Sequence, residues 1–160
     1  MSTLFGGQGA DSSGVPIRSE EDLFALFRSG EKPPGRFGVG VEYERLPVSR
    51  ATGRAIPFAA TPGSPAVEPF LERMVADRGW HEQREHGRII ALEKDGTRVT
   101  LEPGAQVELS GKVHAGLDAV RDELAGFMRE SDELAASMGI ALLGIGYHPF
   151  SDFTGIGWVP

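Results

Sequence analysis

Residues 38–46 read Gly-Val-Gly-Val-Glu-Tyr-Glu-Arg-Leu, and apolar and acidic side chains alternate along them. Successive side chains of an extended chain point to opposite faces, so Glu42 and Glu44 share one face while Tyr43 lies on the other. This period of two predicts a strand over residues 36–46. The two carboxylates on that strand would lie about 6.5–7 Å apart.

The spacing of Glu42 and Glu44 alone leaves two interpretations open. Antiparallel sheets often have one face in water, where two glutamates are ordinary surface residues. Gly38 and Gly40 precede the carboxylates on the same face, however, and glycine weakens a strand. Close approach of a ligand is one reason to tolerate glycine there, which would make this face a binding site.

Residues 101–111 form a second alternating stretch, Leu-Glu-Pro-Gly-Ala-Gln-Val-Glu-Leu-Ser-Gly. If the backbone stays extended through Pro103 and Gly104, one side carries Glu102, Gln106, Glu108 and Ser110. Four carboxylates on neighbouring strands form a hard-oxygen set that suits Mg²⁺ together with water and substrate phosphates. Gln106 can both donate and accept hydrogen bonds, which suits recognition of an amino-acid substrate.

Hydrophobic spacing and turn residues place the other elements. They predict a helix capped by Ser19 and ended by Gly30, a helix from Ser64-Pro65 to Gly79, a meander of short strands over residues 80–110 with a hairpin turn at Asp95-Gly96, a long amphipathic helix over residues 117–138 and a buried strand over residues 140–145. Hairpin-connected strands separated by helices indicate an α+β domain with a largely antiparallel sheet and flanking helices.

Composition narrows the classes of function. The 160 residues have a net charge of −7 and contain no cysteine. Nucleic acid and membrane surfaces are therefore poor partners, and disulfides, thiolate zinc sites and a cysteine nucleophile are excluded. A cytoplasmic location fits this composition. Residues 1–17 are predicted to be a flexible leader and residues 18–160 a single domain, with no apolar run near the roughly 18–20 residues of a membrane-spanning helix.

Both acidic stretches, GVGVEYERL and LEPGAQVELSG, closely resemble the two acidic motifs of the plant and proteobacterial type of glutamate–cysteine ligase. They are also similar to the related actinobacterial ligases of ergothioneine synthesis. Further similar segments follow in the expected order: DLFALFRSGEKPPGRF at 22–37, MGIALLGIGYHP at 138–149 and GWVP at 157–160. The resemblance therefore extends from Ser19 to Pro160.

This resemblance implies a glutamine-synthetase-like catalytic fold, of which the chain would be an incomplete N-terminal part. In the family, ATP phosphorylates the γ-carboxylate of L-glutamate, and the amine of L-cysteine attacks the γ-glutamyl phosphate to give γ-glutamylcysteine. That reaction is the first step of glutathione or ergothioneine biosynthesis. The family's magnesium ligands correspond to Glu42, Glu44, Glu102 and Glu108. Its substrate-binding positions correspond to Gln106 and Ser110, and no catalytic side chain beyond the metal ligands is implied.

The chain also departs from the family pattern. Family members usually have glycine at Ala105, commonly histidine at Tyr43 and often glutamine at His148, which argues against a substrate contact at that last position. They are much longer, so this chain is expected to be a fragment that is inactive alone. Two alternatives stay open: a non-catalytic remnant that binds metal or an amino acid, and a γ-glutamyl ligase that uses another amine. The expected partners are the small molecules L-glutamate, L-cysteine and ATP, and the oligomeric state is not determined by the sequence.

Overall fold

A computed structural model describes residues 16–159 of the chain. The described residues divide into two units, residues 16–37 and residues 38–159. In the first unit, helix α1 (Glu20–Ser29) begins where the sequence predicts. The Ser19 hydroxyl accepts a hydrogen bond from the Asp22 amide, and the Asp22 carboxylate accepts one from the Ser19 amide, which confirms the capping box. The predicted flexible leader, residues 1–17, falls almost wholly outside the described residues and stays a prediction.

The second unit contains a six-stranded sheet and two helices. Its elements in chain order are β1 (Glu42–Ser49), α2 (Val67–Arg78), β2 (His81–Glu85), β3 (Arg88–Lys94), β4 (Thr97–Glu102), β5 (Gln106–Ser110), α3 (Leu117–Ser137) and β6 (Ile140–Leu143). The strand order is β2-β3-β4-β5-β1-β6, and every pair is antiparallel. The predicted α+β class with an antiparallel sheet is therefore confirmed.

Two tight turns build the central hairpins. Asp95 and Gly96 both have positive φ, 53° and 82°, as the predicted turn between β3 and β4 requires. The backbone does not stay extended through Pro103 and Gly104, so that premise was wrong. These residues turn between β4 and β5 with φ of 80° at Gly104 and 61° at Ala105. Residue 105 has a left-handed backbone, which glycine adopts more easily than other residues. This gives a physical reason for the glycine that family members usually have where this chain has Ala105.

Three predicted boundaries differ from the structure. Strand β1 begins only at Glu42, because the preceding residues make a short 3-10 turn at Pro34–Arg36 and an isolated bridge at Val39. Helix α2 begins at Val67 rather than at Ser64-Pro65. Strand β6 is an edge strand of four residues, and only Ile140 in it is fully buried.

The core lies between one face of the sheet and helices α2 and α3. Fully buried members include Phe70, Leu71, Val107 and Leu109, each of which contributes about 1.5–3 kcal/mol relative to an exposed side chain. Arg45 is also buried in this layer. Its guanidinium donates to the Asp132 carboxylate at 2.6 Å and to the Ser131 hydroxyl at 2.5 Å, so it ties β1 to α3.

Candidate metal and substrate site

The face of the sheet opposite the core carries the predicted site residues. Strand register places Glu44 directly opposite Glu108, Glu42 opposite Ser110, and Glu102 opposite Gln106. These side chains share a face because the β4–β5 turn folds the chain into a hairpin, not because the chain runs straight. We call this surface the acidic face and define it as Glu42, Glu44, Glu102, Gln106, Glu108 and Ser110.

Hydrogen bonds already engage part of the acidic face. Glu108 Oε1 accepts from the Ser110 hydroxyl at 2.6 Å and from the Thr100 hydroxyl at 3.3 Å. Gln106 Nε2 donates to the Pro103 carbonyl at 3.3 Å, and its amide oxygen is a hydrogen-bond acceptor. Ser110 therefore supports a carboxylate in this structure, while Gln106 is anchored through its amide nitrogen.

The electrostatics of the acidic face favour a cation. The pKa of Glu102 is raised above its ordinary value by burial, and then by the charges of Glu108, Glu44 and Glu42. Each of the three other carboxylates is thus close enough to disfavour the charged form of Glu102. A divalent cation among them would reverse this effect by stabilising the charged forms.

The carboxylates share a face without yet forming a coordination shell. Among residues 16–159, no group of three or more His, Asp or Glu side chains is arranged so that it could hold a metal ion. Directly opposed residues such as Glu44 and Glu108 have Cβ atoms about 4.5–5.5 Å apart, within the reach of two glutamates that bind one ion. The donor set consists of hard oxygens and fits Mg²⁺, provided that the side chains change rotamer to converge.

A cavity that sequence reasoning missed lies beside Gln106. Its volume is about 760 Å³, and its walls include Pro103, Tyr147, His148, Phe153 and Trp158. The signal in the sequence is the density of aromatic residues between positions 147 and 158. Exposed aromatic side chains around a cavity are typical of a small-molecule site.

His148 is the unusual polar group of this cavity. Within the described part of the chain, neither of its ring nitrogens has a hydrogen-bond partner, although both are buried. Burial lowers the pKa of His148 below its ordinary value of 6.5, which favours the neutral imidazole. A buried polar atom without a partner costs about 1–3 kcal/mol, which marks His148 as a candidate ligand contact although the sequence argued against that role.

Comparison with known proteins identifies related sequences. The sequence profile of glutamate-cysteine ligase family 2 matches residues 38–155. Glutamate–cysteine ligase B, chloroplastic, of Oryza sativa subsp. japonica is 29% identical over 131 residues, which cover 82% of this chain and 25% of that protein. Glutamate–cysteine ligase, chloroplastic, of Arabidopsis thaliana is 29% identical over 131 residues, covering 82% of this chain and 24% of that protein.

The matched region includes the whole acidic face, but it is a minor part of each relative. The chain spans about a quarter of the length of the curated relatives that it matches. The names of these relatives place them in chloroplasts, and the cytoplasmic location expected for the present chain stays a prediction. None of the helices described for residues 16–159 has the length and apolar character needed to cross a membrane.

Proposed function

Because the chain belongs to glutamate-cysteine ligase family 2, we propose that it provides the magnesium-binding part of an ATP-dependent ligase that joins L-glutamate to L-cysteine. The product would be γ-glutamylcysteine, the precursor of glutathione or of ergothioneine. We further propose that the sheet is part of a glutamine-synthetase-like catalytic fold. The remaining parts of that site would come from polypeptide that corresponds to the unmatched three quarters of the relatives.

One observation carries this proposal: four carboxylates share one sheet face, where burial and then the charges of the other three raise the pKa of Glu102. Structural glutamates are normally paired with donors, because an unpaired buried charge is costly. Four carboxylates on one sheet face repel one another, and a cation bound among them would reduce that repulsion. In a ligase of this family, that cation would be magnesium bound with ATP.

The proposed reaction needs no nucleophilic side chain. An oxygen of the glutamate γ-carboxylate attacks the γ-phosphorus of ATP, and ADP leaves. The cysteine amine then attacks the acyl carbon, inorganic phosphate leaves, and the nitrogen loses a proton. Magnesium held by Glu42, Glu44, Glu102 and Glu108 would neutralise the phosphate charges.

The other residues of the site would orient the substrates. With its nitrogen bonded to the Pro103 carbonyl, the amide oxygen of Gln106 would accept a hydrogen bond from the amino group of a substrate. Ser110 would keep Glu108 in place through its 2.6 Å hydrogen bond and would contact substrate only if that bond is exchanged. The cavity beside Gln106, with its aromatic walls, would contact the apolar part of a substrate.

Magnesium binding by this chain is the direct test. Isothermal titration of Mg²⁺ into the 160-residue chain should show binding in the wild type and at least about tenfold weaker binding in Glu108→Gln. Glu72→Gln is the matched control, because Glu72 is an exposed glutamate on α2 and the charge change is the same. Equal binding by all three proteins would refute the metal site.

Catalysis is tested in a chimaera, since the chain matches only a quarter of its relatives. Residues 38–155 would replace the matching segment of the Arabidopsis thaliana relative, and ADP release would be measured with ATP, Mg²⁺, glutamate and cysteine. We expect turnover that Glu44→Gln abolishes, with γ-glutamylcysteine identified by product mass. A folded chimaera whose ADP release equals that of its Glu44→Gln variant would contradict the proposed activity.

A second candidate function is a non-catalytic module that binds a metal or an amino acid. The cavity beside Gln106, with its aromatic walls, favours it, because such a cavity is typical of a small-molecule binding site. Glutamate binding that needs no ATP, combined with an inactive chimaera, would support this candidate. An active chimaera that accepts other amines as well as cysteine would instead indicate a different γ-glutamyl ligase.

A further inference from the structure

A second cluster of polar groups lies behind the acidic face, on the side of α3. The side chain of Glu123 on α3 is only 10% exposed, and its two oxygens are both used. It accepts hydrogen bonds from the Thr97 hydroxyl, from the Lys112 amide at 3.1 and 3.2 Å, and from the His114 ring, whose Nε2 lies 2.8 Å away. One carboxylate therefore joins α3, the start of β4 and the segment that follows β5.

That segment, residues 111–114, is hydrogen-bonded to the residues just before Glu42. The Gly111 amide donates to the Val41 carbonyl at 2.8 Å, and Val39 and His114 exchange two backbone hydrogen bonds at 2.9 and 2.8 Å. These three bonds continue the pairing of β1 with β5 beyond the end of the regular ladder. The position of Glu42 therefore depends on the position of residues 111–114.

Glycine makes the close approach of these two segments possible. A Cβ atom at Gly40 would lie 3.3 Å from the Lys112 carbonyl oxygen, and one at Gly38 would collide with the Val113 side chain. A Cβ atom at Gly111 would lie 2.9 Å from Glu123 Oε2. The glycines before Glu42, which the sequence suggested were open to a ligand, are instead covered by the backbone of residues 112–114.

We propose that Glu123 and His114 are positioning residues that fix the Glu42 end of the acidic face. Glu123 fixes residues 111–114 through its hydrogen bonds, and these residues fix Val39 and Val41 by backbone hydrogen bonds. The position of Glu42 beside Glu44 on the strand is thereby determined. This inference deepens the proposed function and rests on it, since it assumes that the acidic face binds the metal. Neither Glu123 nor His114 touches the metal or a substrate.

The test compares Glu123→Gln with Glu130→Gln on the same helix. Glu130 is a suitable control because it is also partly buried and accepts from the Trp80 indole at 2.7 Å and from the Lys94 ammonium at 3.1 Å, whereas none of these hydrogen bonds involves residues 111–114. Three properties are measured in the 160-residue chain: melting temperature, amide hydrogen exchange at Val39, Gly111 and His114, and the Kd for Mg²⁺.

We expect both variants to melt at a lower temperature, and only Glu123→Gln to show about tenfold faster exchange at the three amides and about tenfold weaker Mg²⁺ binding. A second pair tests the histidine: His114→Leu should reproduce these changes, and His114→Gln should restore much of the affinity because its amide can still donate to Glu123. Equal effects of Glu123→Gln and Glu130→Gln on exchange and affinity would overturn the proposal. Faster exchange with unchanged affinity would overturn it as well.

Absence of Mg²⁺ binding in the wild type would refute the proposed metal site rather than the positioning role. The positioning role is then decided by exchange and by the backbone amide chemical shifts of Glu42 and Ser110, which lie opposite each other. Shifts that move in Glu123→Gln but not in Glu130→Gln support it. Shifts that stay unchanged in Glu123→Gln overturn it.

Discussion

The pKa of Glu102, on the acidic face, and the pKa of Glu123, behind it, are shifted in opposite directions. Burial and the neighbouring carboxylates raise the pKa of Glu102. Burial would also raise the pKa of Glu123, but hydrogen bonds from Thr97, His114 and the Lys112 amide outweigh it, and the net shift is downward. The fold thus surrounds one glutamate with donors and the other with like charges.

This contrast separates a carboxylate that stabilises the fold from one that is held for a ligand. The hydrogen bonds to Glu123 are complete without any added group, so its charge contributes to the native state by itself. Glu102 shares its face with three other carboxylates, and an added cation would reduce the repulsion among them. The two regions should therefore respond differently to mutation, to Mg²⁺ and to pH.

The largest expected effect is at Glu123. Substitution Glu123→Leu keeps most of the side-chain volume but leaves the Thr97 hydroxyl, the Lys112 amide and the His114 ring without an acceptor. We expect the free energy of unfolding to fall by about 2–4 kcal/mol, measured by urea denaturation. Glu72→Leu, at an exposed position, should change it by less than about 0.5 kcal/mol. A similar small change at Glu123 would remove the distinction drawn between the two regions.

Magnesium should stabilise the chain through the acidic face alone. A ligand at tenfold excess over its Kd adds about 1.4 kcal/mol to the free energy of unfolding. We expect this gain in the wild type and in Glu130→Gln, and its loss in Glu108→Gln. Thermal unfolding with and without Mg²⁺ measures it. A gain of the same size in Glu108→Gln would place the ion elsewhere in the protein.

The contrast between the two glutamates could be predicted only in part from the sequence. The period of two places Glu42, Glu44 and Glu108 on outward faces, because alternation in a strand is a local property. The turn at Gly104 brings Glu102 to the same face even though the premise of an extended backbone was wrong, since an antiparallel hairpin preserves the alternation across its closing pair.

The role of Glu123 could not be predicted in this way. Its three partners come from two different segments of the chain, and neither segment has a pattern that points to α3. The same holds for Gly38 and Gly40, whose neighbour turned out to be backbone from residues 112–114. Contacts between segments that are far apart in sequence depend on tertiary packing, which a single sequence does not display.

A smaller effect is expected where two like charges face each other. Glu44 lies directly opposite Glu108, and such a pair destabilises a sheet by about 0.2–1 kcal/mol. Glu44→Gln should therefore raise the free energy of unfolding in metal-free buffer while it abolishes Mg²⁺ binding. Urea denaturation in chelator-treated buffer provides the measurement. A loss of stability of Glu44→Gln in that buffer would mean that Glu44 makes favourable contacts and stabilises the fold, as Glu123 does.

The smallest and most discriminating effect is the pH dependence. The pKa of Glu102 is raised above its ordinary value of 4.5, so the unfolded chain ionises first and the wild type loses stability as pH rises through the native pKa. The stability advantage of Glu102→Gln should therefore be absent well below pH 4.5 and should grow as the pH rises. Denaturation midpoints measured from acid to neutral pH without metal report this difference.

Glu123 should show the opposite sign in the same experiment. Its pKa is lowered from 4.5, so its contribution is fully present above that value and is lost as the pH falls through the native pKa. The stability deficit of Glu123→Gln should accordingly shrink in acid, where the wild-type carboxylate becomes protonated. Taking each variant as a difference from the wild type cancels the titration of His148, whose lowered pKa otherwise contributes on the acidic side of pH 6.5. The two stability differences, Glu102→Gln minus wild type and Glu123→Gln minus wild type, should change with pH in opposite directions. A change in the same direction would mean that the two glutamates have the same role, and it would contradict the proposal that the acidic face binds a cation.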